Sequence, residues 1–350
     1  MKKLLLFFAA LLPCCLAHSQ GAEENGNYAE FHLIPRAEVN PYLTPGKSGD
    51  GSSGLTLGNT SIYTLFEGAL SEHFAFTLSN HWFAITDLGF GNTADLYTNT
   101  LYSNANNWLD IAKIDLSFGN WTFTVGKDCI ASGGFEYDEW DVDVDYLLVP
   151  DGKPLLASNL WYNLPSYQWG ASVGYSIGEH TDLMVQMLTS PFGERPFASG
   201  LFSYTGRLSG RYGPFSNFWS ASAIKRADGN YEILISLANR LVFAEDFAFG
   251  FDWYNMADVE YNDDDTPKGL LDGNTFRPSL SWAPEDWCDV KIVGNIYESG
   301  GALMDANVGA SFHYYPLDWL QVHTAAGWDF MSKTASVMAG VKADITLFSL

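Results

Sequence analysis

Six carboxylates crowd ten residues of this chain: Glu136, Asp138, Glu139, Asp141, Asp143 and Asp145, in a run that begins Gly133-Gly134-Phe135 and ends at Tyr146. Like charges at that density repel one another and cannot share a packed core, so the run belongs to water. Oxygen ligands this dense could hold calcium, but the spacing, glycine and terminal glutamate of an EF-hand are missing. Two readings remain, a plain solvated loop tip or a loop whose charge narrows an aqueous passage. The basic residues are dispersed along the chain rather than clustered: Arg207, Arg211, Arg240, Arg277, Lys291 and Lys342. Arg207 and Arg211, four apart, share one face of an extended segment. There they either pair with nearby acids or stand as a basic wall opposite the acidic run.

The elements that must position these groups are strands. Over 200–211, Phe202, Tyr204 and Leu208 have one parity, and Ser203, Thr205, Arg207, Ser209 and Arg211 the other. Period two means a strand with one apolar and one polar face. The pattern recurs from about residue 28 to the end, and its apolar parity carries large aromatics such as Phe247, Phe249, Phe251 and Trp253. No segment offers a helix to cover that face. A closed barrel with lipid outside and water inside satisfies both the pattern and the backbone hydrogen bonds. The outward set then includes Phe31, Leu33, Phe74, Phe76, Leu78, Tyr167, Trp169, Val173, Tyr175, Val290, Ile292, Ile296, Val337, Val341, Ile345 and Leu347. The inward set includes Arg36, Glu38, Lys113, Asp115, Glu232, Arg240, Arg277, Asp289, Lys291, Lys342 and Asp344.

Residues 1–19 read as an export leader, with Lys2 and Lys3, an apolar run from Leu4 to Leu12, and Ala17-His18-Ser19 before the cut. Pro13 and its neighbours lack the small residues that lipid attachment at Cys14 or Cys15 needs. Residues 20–350 form a single barrel domain. Without the leader's lysines, 16 basic side chains face 41 acidic ones, a formal charge of −25, which excludes nucleic acid as a partner. Aromatics at 15% suit a barrel with two interfacial girdles, and a mean hydropathy of −0.05 suits strands wetted on one face. Cys129 and Cys288 fall at opposite ends of their strands, too far apart for a disulfide, and should be free thiols.

Turn chemistry sets the strand number. Tight connections occur at Ser71-Glu72-His73, Gly119-Asn120, Gly178-Glu179-His180, Gly213-Pro214, Ala244-Glu245-Asp246, Pro284-Glu285-Asp286 and Pro316-Leu317-Asp318. Between them lie connections of varied length at 44–56, 86–106, 130–164, 190–199, 227–229, 257–273, 299–304 and 331–333. Seven turns interleaved with eight loops give sixteen antiparallel strands with both ends on the short-turn side. The last strand, reaching Leu350, closes on the strand that begins near Tyr28. Sixteen strands leave an aqueous lumen.

Val125-Gly126-Lys127 through Gly133-Gly134-Phe135-Glu136, after the strand Trp121–Val125, resembles the strand-to-loop segment of Gram-negative outer-membrane porins of the phosphate-selective type, and Tyr167–Val173 is similar as well. The resemblance implies a sixteen-stranded barrel, a homotrimer, and a third outer loop folded inward to form the eyelet. It does not carry phosphate over, because the arginine ladders and lysine cluster of those proteins are absent and acids dominate the loop. Rings of Asp and Glu favour cations. The expected function is passive diffusion of small hydrophilic solutes or ions through the outer membrane. The alternatives are a sugar-type channel tracked by Trp140, Tyr146 and Trp161, and a loop-closed barrel serving as adhesin or anchor. The acids of the sixth loop (Asp258, Glu260, Asp263, Asp264, Asp265) suit divalent bridges to lipopolysaccharide phosphates. His313 and His323, on neighbouring strands, read as a satisfied lumen pair. Enzyme motifs such as Gly-x-Ser-x-Gly and His-Glu-x-x-His do not occur, and no cofactor or metal is expected.

Overall fold

The computed structural model describes residues 27–44, 51–57, 60–85, 109–136, 147–148, 154–158, 167–193, 197–244, 246–255 and 273–350. The leader, most of the acidic run and the sixth-loop acids lie outside the described residues. Within them no residue is helical. The strands are β1 (Tyr28–Thr44), β2 (Ser52–Thr56 continued by Thr60–Ser71), β3 (Phe74–Ile85), β4 (Leu109–Phe118), β5 (Trp121–Cys129), β6 (Tyr167–Ile177), β7 (Thr181–Thr189) and β8 (Phe202–Tyr212). They continue as β9 (Phe215–Lys225), β10 (Tyr231–Ala244), β11 (Phe247–Asn255), β12 (Gly273–Glu285), β13 (Cys288–Ser299), β14 (Ala302–Leu317), β15 (Leu320–Asp329) and β16 (Thr334–Ala343 continued by Ile345–Ser349).

Every neighbour is antiparallel. The eighteen hydrogen-bonded segments make sixteen spans, because both parts of β2 and both parts of β16 pair with β1. Closure runs along β1 and β16, from Leu43 opposite Ala335 through Arg36 opposite Lys342 to Glu30 opposite Ser349. Leu350 and Ala29 complete it by exchanging both backbone hydrogen bonds, at 3.0 and 3.3 Å. A β-bulge between Phe31 and His32 brings Phe348 opposite Phe31, where the rings stack 5.8 Å apart beside Phe66.

The two faces follow the predicted parity. On β8, Ser203, Thr205, Arg207 and Ser209 are buried, whereas Tyr204 is exposed. The outward Val173, Ile292, Ile296, Val337 and Val341 are all exposed, and the inward Arg36, Glu38, Asp115 and Arg277 are shielded. Exposed aromatics gather beside the short turns (Phe118, Trp121, Tyr212, Phe243, Trp287, Trp319) and again near the loops (Trp82, Tyr231, Phe330), as two girdles would. Gly119 and Gly213 hold φ of 58° and 61° in their turns, a conformation few other residues adopt cheaply.

Several boundaries differ from the sequence expectation; the loop expected at 299–304, for one, is a turn at Gly300-Gly301 between β13 and β14. Ser52–Thr56, assigned to the first outer loop, is strand paired with Asn40–Thr44. The turns expected at Pro284-Glu285-Asp286 and Pro316-Leu317-Asp318 instead centre on Asp286-Trp287 and Asp318-Trp319. Pro284 and Pro316 fall where the ladders shift register, between Trp282 and Glu285 and between Tyr314 and Leu317. A bulge accommodates the missing N–H, so the proline sits inside the strand rather than ending it.

Cys129 closes β5 at the loop rim and Cys288 opens β13 at the turn rim; both are buried free thiols. Maleimide should therefore label neither in the folded barrel and both after denaturation without reductant. Protection of both in denaturant, read by mass spectrometry, would contradict these strand directions.

Candidate functional site

Where β5 ends, the chain turns into the barrel. Residues 130–136 are all buried, and the contacts that bury them come from the inner wall. Ala131 donates its N–H to Gln186 Oε1 at 2.8 Å, and the same amide donates from Nε2 to the Cys129 carbonyl at 2.9 Å. Ser236 of β10 donates Oγ–H to the Gly133 carbonyl at 2.6 Å. Gly133 has φ of 102°, which lets the chain bend there. Gly134 lies so close to the wall that a Cβ would meet Ala238 Cβ at 2.7 Å and both Asp252 Oδ2 and the Tyr254 hydroxyl at 2.8 Å. Only a residue without a side chain seats the loop at this depth.

Apolar contacts hold this limb as well. Cys129 and Ile130 pack into a buried cluster of Leu188, Ile224, Leu234 and Tyr254 from β7, β9, β10 and β11. Below it, Phe135 lies 6.5 Å from Phe218, with Arg240 stacked over Phe135 at 4.5 Å and Arg207 over Phe218 at 4.8 Å. Each arginine thus spreads its charge over a ring face, a favourable arrangement in a partly dried space.

The returning limb reaches the opposite wall. Leu147–Leu148 and Pro154–Leu155 form a short antiparallel ribbon. Leu155 and Leu156 pack on Ala325 of β15 and Met338 of β16. Leu156, at φ 68°, holds a backbone conformation that costs a non-glycine residue about 1–2 kcal/mol. Wall groups hold it there: its N–H donates to Asn307 Oδ1 at 3.3 Å, and its carbonyl accepts from Arg277 Nη2 at 3.3 Å. Asn295 donates to the Ala157 carbonyl.

Arg277 joins the two limbs. Its Nε lies 3.6 Å from Glu136 Oε1, and that same oxygen accepts the Ser158 N–H at 2.6 Å. Glu136 and Arg277 are both nearly inaccessible. One guanidinium on β12 therefore fixes the outgoing limb through Glu136 and the returning limb through Leu156. Asp252, opposite Arg277 in the β11–β12 ladder, accepts the Tyr254 hydroxyl at 2.9 Å.

The predicted site residues divide accordingly. Glu136 is placed in the clamp, its charge matched by Arg277. Asp138, Glu139, Asp141, Asp143 and Asp145 lie outside the described residues, as do Trp140, Tyr146 and Trp161. Arg207 and Arg240 stand against the loop on the aromatic stack. Arg211 is exposed at the turn end of β8, its N–H bonded to the His180 carbonyl, so the described wall carries no vertical Arg207–Arg211 stripe beside the loop. Lys291 and Lys342 face inward on β13 and β16. Sequence reasoning missed the inward apolar cluster, whose signal was Leu188, Ile224, Leu234 and Tyr254 breaking the polar parity at the loop ends of four strands. Among the described residues no three His, Cys, Asp or Glu side chains are arranged to hold a metal ion.

No protein-family model matches the chain, and no curated protein sequence does. Solved structures do match its fold. A mutant of the Rh. blastica porin superposes with a TM-score of 0.58 at 13% identity, covering 91% of this chain and 100% of that one. The anion-selective porin from Comamonas acidovorans does so with a TM-score of 0.58 at 11% identity, over 91% and 100%. At these identities the likeness is one of architecture, and the chain has the sixteen-stranded barrel fold of these porins.

Proposed function

We propose that this barrel is an outer-membrane channel through which small hydrophilic solutes or ions diffuse passively, narrowed by its third loop. The observation that carries the reading is the clamp: a loop tied to the inner wall at Gln186, Ser236, Arg277 and Asn307 is held inside the lumen rather than above it. The porin fold, the two aromatic girdles and the leader of residues 1–19 support an exported protein inserted in a Gram-negative outer membrane, with lipopolysaccharide around its loops. The resemblance noted above extends the proposal to a homotrimer. Current through a planar bilayer tests it; folded, inserted protein that passes no current would favour the loop-closed adhesin or anchor instead.

In this reading Arg277 is a positioning residue. Replacing it by Gln leaves Glu136 without its cation and loosens Leu156, weakening the attachment of the loop by about 3 kcal/mol. Single-channel conductance should rise and become noisier, and Glu136→Gln in the same chain should restore part of the quiet state. Unchanged conductance in Arg277→Gln would place the narrowest point elsewhere. Gly134→Val should act in the same direction, by pushing the loop off Ala238 and Tyr254.

The acids beyond the clamp set the sign of selectivity. In this reading Asp138, Glu139, Asp141 and Asp143 concentrate negative charge in one short segment, whereas the inward bases are dispersed. A narrow low-dielectric passage focuses that field, so cations should pass with modest preference. Exchanging these four for Asn or Gln should move the reversal potential in a salt gradient towards anions and flatten its dependence on ionic strength. A variant with unaltered reversal potential would remove these residues from the eyelet. A native channel that already prefers anions would give the inward arginines control.

A further inference from the structure

A single row of registered positions crosses five strands of the lumen wall: Glu38 on β1, Gly340 on β16, His323 on β15, His313 on β14 and Asp289 on β13. Glu38 and His323 are two strands apart, yet His323 Nε2 lies 3.0 Å from Glu38 Oε1. Gly340 makes that reach available, since a Cβ there would meet His323 Nε2 at 2.5 Å and Glu38 Cγ at 2.6 Å. At the other end His313 Nδ1 lies 3.0 Å from Asp289 Oδ1, and the Tyr315 hydroxyl donates to Asp289 Oδ2 at 3.0 Å. The two imidazoles occupy directly opposed positions between the two carboxylates.

Among the described residues, the other charged groups on these strands near the row are Arg36, 3.4 Å from Glu38, Lys342 opposite it on β16 and Lys291 on β13. Towards the turn rim stands His32, whose Nδ1 lies 2.7 Å from Asp344 Oδ1 and whose Nε2 lies 3.5 Å from Glu30. Among the described loop residues, Leu155 and Leu156 pack on Ala325 and Met338 of the same strands. Charging both imidazoles adds two positive charges to this part of the wall. A neutral His323 that donates from Nε2 to Glu38 leaves Nδ1, which makes no hydrogen bond, as the atom that takes the second proton.

We propose that His313 and His323 make the ion selectivity of the lumen pH-dependent, tilting it towards anions as pH falls. The inference rests on the channel reading and specifies which wall residues tune it. Histidine is the side chain whose ordinary titration falls between pH 5 and 8, and added wall cations favour anion passage.

The test is the reversal potential of full-length protein in planar bilayers under a salt gradient, recorded from pH 8 to pH 5. In the native channel the anion-to-cation permeability ratio should rise about threefold over that range. The His313→Gln/His323→Gln variant keeps hydrogen-bonding side chains and should show less than half of that rise. Glu38→Gln removes the carboxylate that favours charged His323 and should move the midpoint to lower pH, a displacement that a merely structural role would not produce. Equal pH dependence in native and double-variant channels overturns the inference, as does selectivity that ignores pH in both. Absence of current at every pH would remove the channel reading and this inference with it, whereas steady current of pH-independent selectivity removes this inference alone.

Discussion

A backbone amide has no partner in hydrocarbon other than another backbone or side-chain group, and each unpaired one costs several kcal/mol. The rest of this structure depends on that constraint. It requires the sheet to close, and closure requires β1 to meet β16 along their lengths, from Leu43 and Ala335 at the loop rim to Ala29 and Leu350 at the turn rim. The alternation of side chains follows from closure: once there is an outside of lipid and an inside of water, a strand can bury neither face and must divide them. The bulges at Pro284, Pro316 and Phe31 are places where local chemistry and the ladder disagree, and in each the ladder resumes on the far side.

The inside of the barrel has its own organisation. One wall holds the third loop by apolar packing, arginine-ring contacts and hydrogen bonds with Gln186 and Ser236. The other holds it by hydrogen bonds with Arg277, Asn295 and Asn307 and by packing of Leu155 and Leu156 on Ala325 and Met338. Charge is used here for placement as much as for selection. Glu136 illustrates the difference, being as acidic as its neighbours in the sequence but matched to a guanidinium in the fold. A third region, the row from Glu38 to Asp289, carries two imidazoles between two carboxylates, and its charge follows pH in a way that an arginine cannot.

Much of the fold was legible because period two and the alternation of short and long connections both follow from the barrel itself. Ser203, Thr205, Arg207 and Ser209 announce their face without any knowledge of their partners. The site was less legible, because its contacts join residues far apart in the chain. Nothing in the sequence near Glu136 reveals Arg277, and the inward Leu188, Ile224, Leu234 and Tyr254 look like noise in a polar parity until the loop that covers them is in place. Arg211 shows the converse limit. It shares a face with Arg207, but parity carries no information about depth, and Arg211 lies at the rim.

The seam between β1 and β16 differs from every other junction in one respect: it joins strands that are not consecutive, and His32 bonds to Asp344 across 312 positions. All other strands can pair with a neighbour already made, hairpin by hairpin. The first strand must keep one edge unpaired until the last is in place, so the order of assembly has a fixed final step. Bringing the two ends of so long a chain together unaided carries a loop-closure cost of roughly 5 kcal/mol, which the intervening hairpins reduce only by curving the sheet as they form. Until the last strand arrives, the open edge of β1 is a template for any other strand, and the barrel's resistance to aggregation begins only when its own β16 occupies that edge.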